Sequence, residues 1–169
     1  MKRVAVVGCP GAGKTTFSIK LAKKTDLPLI HLDYHYHQKE FNYYKNKDEW
    51  QIKVQDLVKK NKWIIDGNFQ STFDIRFPRS DTIIFLDYPR RIYFYGIFQR
   101  WRKAKIKPRF DMPKGWKEKI DLNFLKLVWK FDQSDRLDLL KELEKNKNKQ
   151  IIIFKSRKEA NKYLTEVEI

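Results

Sequence analysis

The chain has 169 residues and a formal net charge of +16 at pH 7, from 37 Lys+Arg against 21 Asp+Glu. A content of 41% hydrophobic and 15% aromatic residues is too apolar for a disordered chain, and the length suits one domain, 1–169, with its own core. One cysteine excludes an internal disulfide and no apolar run is long enough to span a membrane, so a reducing, cytoplasmic setting is expected.

Residues 2–8 (KRVAVVG) are β-branched and apolar and close on Gly8, which predicts a buried strand. A helix is predicted over 14–24, with Phe17, Leu21 and Ala22 at helical spacing, and a second strand over 28–33 (PLIHLD). A helix over 48–61 aligns Ile52, Leu57 and Val58. Strands follow over 62–66 (KWIID), stopped by Gly67, and over 81–87 (DTIIFLD), before Pro89. An aromatic-rich helix is predicted over 90–103, another over 116–131 with Ile120, Phe124, Val128 and Trp129, and a third around Leu137, Leu140 and Leu143. The fifth strand is 150–154 (QIIIF) and the last helix 158–167. Strands without alternation, separated by helices, predict an α/β fold with a parallel sheet covered on both faces. Residues 104–115, holding Pro108, Pro113 and Gly115, lack periodicity and are long for a plain connection.

Residues 8–15, Gly-Cys-Pro-Gly-Ala-Gly-Lys-Thr, match G-x-x-x-x-G-K-[ST] in full, between a predicted strand and a predicted helix. Glycines let successive backbone N–H groups turn inward as an anion nest at a helix N-terminus. Lys14 brings a fixed cation to the β and γ phosphates of a nucleoside triphosphate, and the Thr15 hydroxyl is a ligand for Mg²⁺. The expected ATP contacts here are Gly8, Pro10, Gly11, Ala12, Gly13, Lys14, Thr15 and Thr16; Cys9 reads as a small loop residue.

Ligands of an open parallel sheet sit beyond the carboxyl ends of its strands. There the chain places Asp33, then Asp66-Gly67-Asn68, then Asp87, then Ser156-Arg157. Asp66 is expected in the outer shell of Mg²⁺, or else as a turn cap before Gly67. Asp33 is a candidate to bind or deprotonate an acceptor hydroxyl, and Asp87 a cap for the helix after Pro89. His31, His35 and His37 lack the further ligands of a zinc site and read as substrate contacts or plain surface. Phe41, Tyr43, Tyr44 and Trp50 either line an acceptor pocket or cover the sheet.

Much of the charge is scattered lysine, which serves solubility. The segment 100–119 differs, with nine basic residues against two acidic ones. At helical spacing Arg100 and Arg102 point about 200° apart, so both aim at one phosphate only if the helix has ended. Arg109 sits among Pro and Lys, as a residue that swings in would.

Together, the phosphate loop, Leu32-Asp33, residues 65–69 (IDGNF), 85–89 (FLDYP), 109–116 (RFDMPKGW) and 156–159 (SRKE) resemble the adenylate-kinase-like P-loop kinases, and most of all the FlaR-type topology modulation proteins. The resemblance covers nearly the whole chain. It implies a three-layer fold with a five-stranded parallel sheet in the order 2-3-1-4-5, a basic lid at about 100–116, and a loop after strand five that holds the adenine. It makes Arg100 similar to the first catalytic arginine of the lid. With Arg109 as a second, it gives Lys14, Asp33, Arg100 and Arg109 as the catalytic set, with Arg102, Ser156 and Arg157 as further nucleotide contacts. Asp33, Asp66, Gly67, Asn68 and Arg76 would face the acceptor.

The adenylate kinase pattern Asp-Gly-Phe-Pro-Arg is Asp66-Gly67-Asn68-Phe69 here, and the nearest arginines are Arg76 and Arg79. AMP is therefore not the expected acceptor, and Leu32-Asp33 is closer to shikimate or gluconate kinase, where such an Asp meets the acceptor hydroxyl. Two classes of function follow. One is a Mg-ATP-dependent phosphotransferase that moves the γ-phosphoryl to an unidentified small acceptor, anionic or hydroxyl-bearing, a nucleoside or nucleotide included. The other is a nucleotide-responsive DNA-binding protein that uses the basic segment on phosphodiesters; nonspecific affinity for nucleic acid is expected of any chain this basic.

Overall fold

Apolar strands without alternation must be covered on both faces, and helices do this on a computed structural model whose described residues are 1–37, 47–106, 111–113 and 120–167. In chain order the elements are β1 (Arg3–Gly8), α1 (Lys14–Thr25), β2 (Leu29–His31), α2 (Leu32–Tyr36), α3 (Lys47–Val58) and β3 (Trp63–Asp66). A 3₁₀ turn (Gln70–Thr72), α4 (Phe73–Arg79), β4 (Thr82–Leu86), α5 (Arg90–Ala104) and α6 (Leu122–Lys130) follow. A second 3₁₀ turn (Phe131–Gln133), α7 (Asp135–Lys145), β5 (Gln150–Phe154) and α8 (Arg157–Glu166) complete the order.

The five strands are all parallel, in the order β2-β3-β1-β4-β5. The three central strands are the protected ones: Val4, Ala5, Val6 and Val7 of β1 are wholly buried, and β3 and β4 are buried at every position. Register aligns the strand ends, with Val6 opposite Asp66 on one side and Gly8 opposite Leu86 on the other. His31 on β2 lies opposite Asp66 on β3. The side chains that follow these ends therefore share one rim of the sheet.

Three elements differ from the sequence reading. The second strand ends at His31 rather than Asp33; the buried Leu32 begins α2, and Asp33 lies in its first turn, where a carboxylate suits the helix dipole. Residues 68–80, read without any element, contain α4, whose Phe73 and Phe77 stack at 4.6 Å across one turn. Helix α6 begins at Leu122 because the Asp121 side chain accepts a hydrogen bond from Phe124 N at 2.8 Å and caps it; 116–119 lie outside the described residues.

Asp87 has a different role from the expected cap, since α5 starts without any side-chain cap. Its buried carboxylate accepts two hydrogen bonds from Arg136, at 2.7 and 2.8 Å, and one from Lys155. The fork ties the end of β4 to α7 and to the exit of β5. Burial works against the charged carboxylate, but the hydrogen bonds and charges of Arg136 and Lys155 prevail and hold its pKa below the ordinary 3.8. A carboxyl depressed by folding stabilises the fold above its unfolded value and loses that contribution as pH falls through the folded one. Asp87→Asn is therefore expected to lower stability by about 2 kcal/mol at pH 7. In urea titrations the gap to wild type should narrow as pH drops below about 4; a gap of unchanged size at pH 3 would contradict this role.

Candidate functional site

Between β1 and α1 the chain turns through left-handed glycines that a side chain would strain: Gly11 has φ 84° and Gly13, the residue before the helix, φ 95°. Helix α5 packs directly on this loop. A Cβ on Gly96 would lie 2.0 Å from the Gly11 carbonyl oxygen, and one on Gly11 would lie 2.2 Å from that of Tyr93. Asn68, after β3, ties the loop from the other side by accepting from Gly8 N at 3.3 Å. The Lys14 ammonium curls back and donates to the carbonyls of Gly8 and Cys9 at 2.9 and 3.1 Å. Desolvation lowers its pKa, against the pull of Asp33, Cys9 and Asp66, with Arg100 lowering it further.

Thr15 meets a residue the sequence reading did not single out. Its hydroxyl donates to Asp111 at 3.2 Å, and Asp111 is only 5% exposed. With the hydrogen turned toward Asp111, oxygen lone pairs of Thr15 remain for a cation. Thr16 stands exposed in the first turn of α1.

Asp66 is also buried, and its Oδ1 lies 2.8 Å from His31 Nδ1. Its Oδ2 is buried and has no hydrogen-bond partner. Burial disfavours the His31 cation, yet the Asp66 hydrogen bond and the charges of Asp66, Asp111 and Asp33 outweigh it and raise the pKa of His31. His35, by contrast, is lowered, by burial and then by Lys53, Lys60 and His31. Among the described residues no group of three or more His, Cys, Asp or Glu is arranged to hold a metal. Mg²⁺ asks for less, because it keeps several waters and takes one or two protein oxygens beside substrate phosphates. The Thr15 hydroxyl and the orphaned Oδ2 of Asp66 are hard oxygen donors of the type that fits it.

The expectation that Arg76 faces an acceptor is corrected. Arg76 is wholly buried, and its guanidinium donates to Thr72 Oγ1, the Gly67 carbonyl and the Phe69 carbonyl. Desolvation lowers its pKa to about 9, which leaves it a cation at neutral pH. It shapes the loop that carries Gly67 and Asn68. Trp50 is 2% exposed and packs against Tyr36 and Phe69, so it covers the sheet; Phe41, Tyr43 and Tyr44 lie outside the described residues.

Arg100, on α5, is close enough for its charge to bear on Lys14, and its guanidinium lies 5.8 Å from the Phe124 ring centre. Arg102 is exposed, 5.9 Å from the ring of Phe98. Residues 107–110, Arg109 among them, and 114–119 lie outside the described residues. Ser156 caps α8: it accepts from Glu159 N at 3.2 Å and donates to Glu159 Oε1 at 2.8 Å, a capping box readable in Ser156-Arg157-Lys158-Glu159. Arg157 lies 5.6 Å from the Tyr95 ring centre on α5. Strand order alone could have paired His31 with Asp66; nothing in the sequence around Asp111 pointed to Thr15.

No protein-family model matches the chain, and no curated protein matches it. Among the described residues no helix is long and apolar enough to cross a membrane. Solved structures do match. The shikimate kinase of Acinetobacter baumannii in complex with shikimate superposes with a TM-score of 0.62 at 15% identity, over 98% of this chain and 90% of that one. The shikimate kinase of Bacteroides thetaiotaomicron gives 0.57 at 18% identity, over 97% and 94%. The deoxyadenosine kinase of M. mycoides gives 0.53 at 12% identity, over 96% and 94%. With the observed sheet order, these likenesses show that the chain has the α/β fold of the P-loop kinases.

Proposed function

We propose that this chain is a Mg-ATP-dependent phosphotransferase whose acceptor is a small, hydroxyl-bearing molecule. The observation that carries the reading is a complete phosphate loop with Asp33, Asp66 and Asp111 beside it on neighbouring segments, one of them holding a buried, unpartnered oxygen. Lys14 donates to its own loop carbonyls and would exchange them for the β and γ phosphates. Thr15 and Asp66 would hold Mg²⁺, which when bound neutralises phosphate charge and orients the phosphates for in-line transfer. Arg100 would add positive charge as it spreads over the equatorial oxygens, and Arg109, with a lid at about 100–116, would exclude water. Arg102, Ser156 and Arg157 belong to the proposed nucleotide side.

For the acceptor, Asp33 would take up or orient the reacting hydroxyl, with Gly67 and Asn68 beside it. The matching kinases named for shikimate, a sugar and deoxyadenosine support a hydroxyl-bearing class. Arg76 is wholly buried and turns its guanidinium to the loop, so it is not part of the proposed acceptor site. Kinship with the FlaR-type group is part of this proposal and names no acceptor. The DNA-binding alternative draws no support from the described residues. A screen of nucleosides, nucleotides and hydroxylated metabolites for stimulated ADP release tests the reading; no stimulation by any of them would count against it.

Lys14→Ala is expected to abolish measurable ATP binding in calorimetry while leaving the unfolding midpoint close to wild type. Asp33 and Asp66 should separate. Asp33→Asn is expected to slow transfer about a hundredfold with ATP affinity nearly unchanged, whereas Asp66→Asn should raise the Mg²⁺ concentration needed for turnover. Equal loss of ATP affinity in both variants would refute that division. Arg100→Ala should lower kcat by on the order of a hundredfold with little change in ATP affinity, since its charge is used in the transition state.

A further inference from the structure

Asp66 cannot orient itself. The torsion χ2 of an aspartate is broad, so its two carboxylate oxygens exchange places unless a partner fixes which of them faces the rim. Arg76 contributes a positive field but no contact, as its hydrogen bonds go to Thr72, Gly67 and Phe69. Among the described residues, the hydrogen bond that holds Asp66 comes from His31.

That bond is set by the sheet. Parallel pairing places His31 and Asp66 as direct partners on β2 and β3. Their side chains are 16% and 6% exposed, with Nδ1 and Oδ1 2.8 Å apart. An ionised carboxylate only accepts, so His31 Nδ1 carries the hydrogen and donates it. Occupying Oδ1 leaves Oδ2 buried and unpartnered, a costly state for a carboxylate oxygen unless something else binds there.

We infer that His31 is a positioning residue for the metal-binding carboxylate: its Nδ1–H clamps Oδ1 of Asp66 and leaves Oδ2 to hold a water of the Mg²⁺ shell. This rests on the Mg-ATP reading above. Hydrogen bonds behind a metal's ligands commonly govern metal affinity by 10–100-fold. A purely structural pair joining β2 to β3 would instead affect stability and leave metal affinity alone.

The test uses the full chain with Mn²⁺ as the probe, its binding in the presence of a nonhydrolysable ATP analogue read by electron paramagnetic resonance. Binding of the same analogue in EDTA is measured by calorimetry. His31→Leu is expected to weaken Mn²⁺ binding about tenfold while metal-free analogue binding stays within about twofold. His31→Asn, whose amide nitrogen overlies Nδ1, should recover most of the loss. Should His31→Leu fail to fold, His31→Gln takes its place with the same expected loss, because its amide overlies Nε2 instead. Wild-type Mn²⁺ affinity in His31→Leu, beside a clear loss in Asp66→Asn, overturns the positioning role and leaves the metal assignment standing. An Asn variant as weak as the Leu variant overturns the hydrogen-bond mechanism. Unchanged Mn²⁺ affinity in Asp66→Asn removes the metal assignment itself, and this inference with it.

Discussion

Helix α5 lies against the phosphate loop backbone to backbone, glycine facing glycine, with the Ile97 side chain beside the contact. Gly96 presents bare backbone to the Gly11 carbonyl, and the Gly11 α-carbon has the Tyr93 carbonyl over it. Interiors are packed too tightly for either partner to yield much, so the loop's curvature and the helix's path are one constraint. Arg100 stands four residues beyond Gly96 on the same helix, which is why its charge reaches Lys14. Tyr93, three residues before Gly96, is wholly buried and meets Phe131 edge-on at 5.9 Å, anchoring the helix to the turn after α6. The glycine loop, Arg100 and the packing behind both are thus positioned together.

Around this contact the rim of the sheet carries charges of both signs in little water. Lys14 and Arg76 are both less basic than their free forms, for the same reason of lost hydration. They are compensated differently. Arg76 is satisfied by a hydroxyl and two carbonyls and is static. Lys14 rests on two carbonyls of its own loop, and in the proposed function an incoming phosphate would take their place. Asp87, the third strong charge, is neutralised twice over on the β5 side and is a girder between elements.

How much of this could be read from the chain depends on whether the signal was local. The strand cores, α1, α5 and the phosphate loop were legible because period and motif lie in consecutive residues. Asp33 was placed one element wrong: PLIHLD is apolar enough for a strand, and only the packing of Leu32 turns it into a helix after His31. Arg76 was misread because its partners are carbonyls of Gly67 and Phe69, and backbone acceptors leave no mark in a sequence. Helix α4 went unread although Phe73 and Phe77 carry the helical spacing; it is short, seven residues, and holds Pro78 inside it. Asp111 meets Thr15 across 96 positions, and no local pattern announces such a contact.

Cys9 sits inside the phosphate loop, wholly buried, and burial raises its thiol pKa to about 12. At neutral pH the thiol therefore stays protonated, and the thiolate is the form that attacks alkylating agents and is oxidised. The loop thus contains sulfur without the usual vulnerability of sulfur. Peroxide or iodoacetamide reaches a wholly buried thiol only when the surrounding structure opens, so labelling of Cys9 would follow local opening of the folded chain rather than the chemistry of an exposed sulfur.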